Sequence, residues 1–165
     1  MKEEKMELEV VKLNIPKDAN IIVGQTHFIK SVEDIGEAVV GAVPGVKWGL
    51  AFNEASGARL IRYAGNDDEL IEAAKENARK IGAGHTFVLI IRDAYPINIM
   101  PHLKRVPEIC HIFAATANPL EVIVVRTEQG RGVLGVVDGF TPIGVEDDTE
   151  IAKRKQFLRK IGYKF

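Results

Sequence analysis

Residues Ile81-Gly82-Ala83-Gly84-His85-Thr86-Phe87 set a histidine behind two glycines, where a helical pattern stops and an apolar run begins. Imidazole titrates near neutral pH and serves as base, nucleophile or metal ligand. Glycine on its N-terminal side lets the backbone turn through positive φ and lets a ligand approach the main chain. The plainer reading is that Gly82 or Gly84 is a helix C-cap and His85 a satisfied residue at the start of a strand. A second histidine, His27, lies in Gln25-Thr26-His27-Phe28 just ahead of an expected helix start, where backbone N–H groups and the helix dipole favour an anion. His102 sits among basic neighbours on a helix and His111 begins an apolar strand, so both read as structural.

The elements that must position these side chains alternate in type. Glu7 to Ile15 and Asn20 to Val23 read as strands, and Ser31, with Asp34 three residues on, reads as the cap of a helix closed by Pro44-Gly45. Trp48 to Phe52 and Arg59 to Tyr63 are strands about a Glu54-Ala55-Ser56-Gly57 turn. The acidic Asn66-Asp67-Asp68-Glu69 opens the clearest helix, with Leu70, Ala73, Ala74, Ala78 and Ile81 at helical spacing. Phe87 to Ile91 reads as a strand buried on both faces, followed by a short helix from Asn98 to Arg105. His111 to Ala115, Glu121 to Arg126 and Val133 to Val137 are further strands, and the tail from Asp148 is helical and expected to pack on the sheet. Strands interleaved with about four helices predict an α/β fold, a three-layer α/β/α sandwich whose hairpin-like pairs make the sheet mixed.

Composition bounds the function. A chain of 165 residues without linker, low-complexity tract or repeat is expected to form a single domain over 1–165. With 22 basic against 23 acidic side chains there is no global basic field for nucleic acid. No apolar run reaches transmembrane length and the charged Met1-Lys2-Glu3-Glu4-Lys5 does not read as a signal peptide, which predicts a cytoplasmic protein with no membrane partner. Cys110 is alone, and 27% charged residues would suit a thermophile.

Five blocks carry a resemblance over nearly the whole chain: Gly24-Gln25-Thr26-His27-Phe28, Gly49 through Gly57, Gly82-Ala83-Gly84-His85, Ala115-Thr116-Ala117-Asn118-Pro119 and Gly132 through Gly139. In these the sequence resembles the adenosine-specific kinase family. The resemblance implies an α/β/α fold, a homo-oligomer, recognition of adenosine or AMP, and phosphoryl chemistry involving a histidine.

The residues themselves show neither the Gly-x-x-x-x-Gly-Lys-Ser/Thr phosphate loop nor the protein-kinase set, and Gly130-Arg131-Gly132 precedes a strand instead of the helix a dinucleotide fingerprint needs. A histidine phosphoryl carrier requires a free ring nitrogen, a partner for the other nitrogen, and donors for the phosphate oxygens. His85 is the expected nucleophile, with His27 its rival. Glu54 or Asp138 is the expected orienting carboxylate, and the N–H groups of Gly82 to His85 or the Arg131 side chain are the expected phosphate donors. Asn118 and Asn53 carry a donor and an acceptor each, as the adenine edge requires. No metal site has the right spacing, although Glu54, Glu121 or Asp138 could help place Mg²⁺ with a phosphate donor. The reading predicts that Gly82 to His85, Glu54, Asn118 and Asp138 converge in one pocket. The alternative is a non-catalytic module that senses adenosine or AMP.

Overall fold

A computed structural model describes residues 5–165, so Met1 to Glu4 of the charged start lie outside the described residues. In chain order the elements are β1 (Glu7–Lys12), β2 (Ala19–Thr26), α1 (Ser31–Ala42), β3 (Lys47–Asn53), β4 (Ile61–Gly65), α2 (Asp68–Ile81), β5 (Thr86–Arg92), α3 (Pro96–Leu103), β6 (Ile109–Thr116), β7 (Leu120–Arg126), β8 (Arg131–Asp138) and α4 (Asp148–Lys160). Five strands form a central sheet in the order β4-β3-β5-β2-β6, and β1-β7-β8 form a smaller one.

The central sheet is covered on both faces. Ile22, Leu50, Leu89 and Ile91 pack against Ile35 and Val39 of α1 and Ile99 and Leu103 of α3. Alternate residues on the same strands, Ile21, Val23, Val88 and Ile90, pack against Leu70, Ala74 and Ala78 of α2 and against Val122 and Val124 of β7. Burial on both faces explains why β5 is apolar from Phe87 to Ile91, as that continuous run predicts. The expected α/β sandwich therefore holds, with the small sheet sharing the second outer layer with α2.

Neighbouring strands pair differently from a mixed sheet. Every described ladder is antiparallel. The reason lies in the crossovers: β2 and β3, joined through α1, both run antiparallel to β5 between them, so this helical connection spans one position that a later strand fills. β4 and β5, joined through α2, likewise flank β3, here a strand already made. Helical crossovers thus join strands that point the same way without making them neighbours.

Local chemistry sets the helix ends. Asp67 caps α2 by accepting the Leu70 N–H, and Gly82 ends it in the left-handed conformation at φ 59° with its N–H on the Ala78 carbonyl. Glycine is also required at Gly49, where a Cβ would stand 2.3 Å from the Leu70 and Ile71 backbone, because the first turn of α2 rests directly on β3. At α1 the expected cap moves by one residue: Lys30 occupies the cap position, and Ser31, already helical, donates its hydroxyl to the Phe28 carbonyl at 2.7 Å. α4 forms where its basic pattern predicts, capped by Asp147, yet buries none of its residues, so its expected packing on the sheet does not occur within the chain.

Candidate functional site

Gly82 to His85 wraps one end of the central sheet. The Asn53 carbonyl accepts the His85 N–H at 2.7 Å, and the His85 carbonyl accepts the Thr26 N–H at 2.9 Å, so the histidine backbone is pinned between the ends of β3 and β2. Its φ of 64° is left-handed, unusual for a residue with a Cβ. The imidazole stacks on Phe52 with centroids 5.8 Å apart and planes 19° apart. The ring forms no hydrogen bond among the described residues, which leaves both nitrogens free for chemistry.

Beside this turn lies a cavity of about 880 Å³, within the range of small-molecule sites. Gly82 and Gly84 line it together with Asn53, Glu54 and Arg131. Gly82 has a second use here, since its missing Cβ would meet the Arg131 Cδ at 3.3 Å. Arg131 donates from Nη2 to Glu9 at 2.7 Å, while its buried Nε has no partner. Arg59 and Arg79 also line the cavity, and neither forms an ion pair among the described residues. Three guanidinium groups around one concavity suit an anionic ligand such as phosphate. A second cavity of about 740 Å³, between Phe28 to Glu33 and Leu60 to Tyr63, shares the Leu60-Ile61 wall.

Glu54 is placed at the cavity but not against His85. Its carboxylate accepts the Leu60 N–H at 2.9 Å and Arg62 Nη2 at 3.1 Å. The Leu60 amide first, then the Arg62 guanidinium, hold its pKa below the usual carboxylate value, so it is ionised at neutral pH. Its visible work is to close the loop between β3 and β4.

Asn53 departs further from a base-reading role. Its buried amide donates to the Ala78 carbonyl at 2.9 Å, the Ala83 carbonyl at 3.3 Å and Thr86 Oγ1 at 3.0 Å. The amide therefore ties the end of α2 to β3 and β5, and has no N–H left for a ligand.

The remaining expected members lie elsewhere. Asn118 donates from Nδ2 to Asp138 Oδ1 at 3.2 Å and from its backbone N–H to Thr116 Oγ1 at 3.0 Å. This pair sits at the Asp138 end of β8, seven residue steps or about 23 Å along the strand from Arg131. Of the four segments expected to converge, Gly82, Gly84 and Glu54 meet at this cavity with Arg131; the His85 side chain is not part of its lining, and Asn118 and Asp138 stand at the far end of β8. The strand pattern could not separate the ends of β8, because either end follows a loop. His27 is exposed next to Thr26 and shares the sheet end with His85; its N–H donates to the Glu108 carbonyl at 3.1 Å. Glu54, Glu121 and Asp138 do not gather into a Mg²⁺ site: the first serves Leu60 and Arg62, the second faces Lys12 across the small sheet, and the third holds Asn118. Sequence reading missed Arg59 and Arg79. Arg79 had a signal, since a basic residue one turn before a glycine cap must project beside that cap.

Comparison with known proteins bears on the family and the scaffold. The family model described as adenosine specific kinase matches residues 11–164. A crystal structure of a protein from Pyrococcus horikoshii OT3 is similar at 44% identity and a TM-score of 0.94, covering 98% of this chain and 99% of that one. A comparison with curated proteins gave no match.

Proposed function

The chain belongs to the adenosine-specific kinase family, and from that premise we propose that it is an adenosine-directed phosphotransferase in which His85 carries the phosphoryl group. The observations that support this reading are the His85 imidazole, unbonded among the described residues, and the cavity beside its backbone turn, walled by Gly82, Gly84 and three arginines. In the first step a neutral ring nitrogen of His85 attacks the phosphorus of a phosphate donor. The N–P bond forms, the donor's bridging P–O bond breaks, and the leaving group takes the electron pair. In the second, an adenosine hydroxyl attacks the same phosphorus, the N–P bond breaks, and the hydroxyl proton passes to solvent or to the released phosphoryl product. Arg131, Arg59 and Arg79 neutralise charge on the transferring oxygens. Gly82 and Gly84 keep side chains out of the approach path. Glu54 acts on this site through Arg62 and the Leu60 loop.

We also read the protein as self-associating, as the family resemblance implies, and as resident in the cytoplasm. The testing experiment incubates the purified protein with adenosine and, in turn, labelled ATP and labelled pyrophosphate. Labelled AMP and acid-labile label on the protein are expected, and His85→Ala should lower both at least a hundredfold while the fold is retained. Unchanged transfer in His85→Ala moves the role to His27, and unchanged transfer in both single variants removes the histidine mechanism. Adenosine binding without turnover by either donor would support the sensing module instead.

A further inference from the structure

β4 closes one edge of the central sheet, and no described strand lies beyond it. In an antiparallel ladder, residues that exchange both hydrogen bonds with the partner alternate with residues whose N–H and C=O turn away from it. The register fixes which is which. The Leu60 carbonyl accepts the Glu54 N–H at 3.1 Å, and the pairs Asn53 with Ile61, Phe52 with Arg62 and Ala51 with Tyr63 follow in order. Leu60 and Arg62 therefore bond toward β3, while Ile61 and Tyr63 present their N–H and C=O groups to the open edge. Asn53 agrees, since its carbonyl is turned the other way, onto the His85 N–H.

This edge lines the cavity of about 740 Å³. Phe28 and Ile29, just ahead of α1, and Val32 within it line the same cavity, and Phe28 and Leu60 are 50% and 52% exposed. The two cations of the lining are matched by carboxylates: Lys30 pairs with Asp34 and, at 3.1 Å, with Glu108, and Arg62 pairs with Glu54 at 3.1 Å. Apolar side chains, paired cations and a strip of main-chain donors and acceptors suit a flat uncharged heterocycle and not a phosphate. The neighbouring arginine cavity, which shares Leu60 and Ile61, has the opposite character. Neither residue expected to read the base is placed to do so, because the Asn53 amide is fully engaged and Asn118 stands with Asp138 at the far end of β8.

We propose that this cavity is the subsite for the adenine ring of the acceptor nucleoside, read by the main chain of β4. The exocyclic amino group donates to the Ile61 carbonyl, the adjacent ring nitrogen N1 accepts the Tyr63 N–H, and the ring lies against Phe28. An acceptor and a donor two residues apart on one strand edge match that side of adenine, whereas a 6-oxo purine with N1 protonated sets donor against donor and acceptor against acceptor. The ribose then points over the shared Leu60-Ile61 wall toward the arginines. The identity of the ring rests on the adenosine-directed reading above; the subsite does not depend on the His85 step.

On irradiation, 2-azidoadenosine, whose azide sits beside N1, should label peptides of the unaltered chain that hold Phe28 or residues 60–63. Tyr63→Pro deletes the outward N–H and leaves the β3 ladder intact, and by calorimetry it should weaken adenosine about threefold to tenfold, the contribution of one hydrogen bond. 1-Deazaadenosine, with C–H in place of N1, should bind parent and Tyr63→Pro alike, a result that a structural defect does not give. Tyr63→Val keeps the N–H and should bind adenosine as the parent does, and Phe28→Ala should lose at least about fivefold. Label confined to residues 55–59 or to Arg131, as a strand of another chain covering this edge would produce, overturns the proposal. So does parent-like adenosine binding in Tyr63→Pro, an equal loss of both nucleosides there, or a matching loss in Tyr63→Val; the labelling decides if Tyr63→Pro does not fold. A parent chain that binds no adenosine overturns both this subsite and the adenosine-directed reading. Absence of phosphoryl label on His85 with these binding results intact ends the histidine mechanism alone.

Discussion

Replacing Asn53 by alanine removes one side chain and three hydrogen bonds, and separates a positioning role from a ligand-binding one. The lost donors served Ala78 O, Ala83 O and Thr86 Oγ1. Two of these acceptors keep other partners, because the Gly82 N–H reaches Ala78 O and the Thr86 hydroxyl donates to Ala83 O at 2.6 Å. The penalty is therefore not three stranded buried groups but three net hydrogen bonds of about 0.5–1.5 kcal/mol each, plus a small void. Non-additivity among bonds that share acceptors trims the sum to about 2–4 kcal/mol. For a chain of this length that lowers Tm by about 4–16 °C. Urea unfolding followed by circular dichroism reads the loss as a shift in midpoint at constant slope. Asn53→Asp should cost at least as much, since it turns a carboxylate toward three oxygens. A stability within about 0.5 kcal/mol of the parent, with adenosine affinity reduced, would refute the reasoning and return Asn53 to the ligand.

Three further outcomes are expected. His85→Gly should be more stable than His85→Ala by about 0.5–1 kcal/mol in urea, because relief of left-handed strain of roughly 1–2 kcal/mol outweighs the added chain entropy of glycine, roughly 0.5–1 kcal/mol; equal stabilities would contradict the φ of 64°. Glu54 has a folded pKa below its unfolded one, so its contribution is present above the usual value of 4.5 and is lost as pH falls through the depressed one. Glu54→Gln should accordingly flatten the acid limb of stability against pH below that value, and an unchanged limb would contradict the Leu60 and Arg62 contacts. Gly49→Ala drives a methyl into the α2 backbone at 2.3 Å and should cost at least about 3 kcal/mol or prevent folding, a parent-like Tm being the contrary result.

Much of the scaffold was legible in the sequence where local rules act alone. The Asp67 cap, the Gly82 stop and the spacing of Leu70, Ala74 and Ala78 define α2 because each feature belongs to a single turn of helix. The doubly buried β5 was legible because both faces demand apolar residues. Pairing order was not, since nothing local in β3 says whether β2 or β5 will lie beside it. Side-chain amides were equally ambiguous: the groups by which Asn53 would read adenine are those by which it grips Ala78 and Thr86. The turn at His85 was found from its glycines, whereas its stacking partner Phe52 and the cavity arginines come from strands and helices far apart in the chain.

The skipped positions in the sheet have a consequence for how the protein is made. β2 ends at Thr26, but its first neighbour starts at Thr86 and its second at Ile109. On a ribosome adding about 5–20 residues per second, Ile21, Ile22 and Val23, fully buried at the end, spend several seconds with no strand to meet. The β3-β4 hairpin and α2 can settle early from near neighbours, leaving a gap into which β5 must later slide between β3 and β2. Translation stalled before Thr86 would release a fragment whose stickiest strand is bare, so smooth elongation through α2 guards this fold as much as any contact within it.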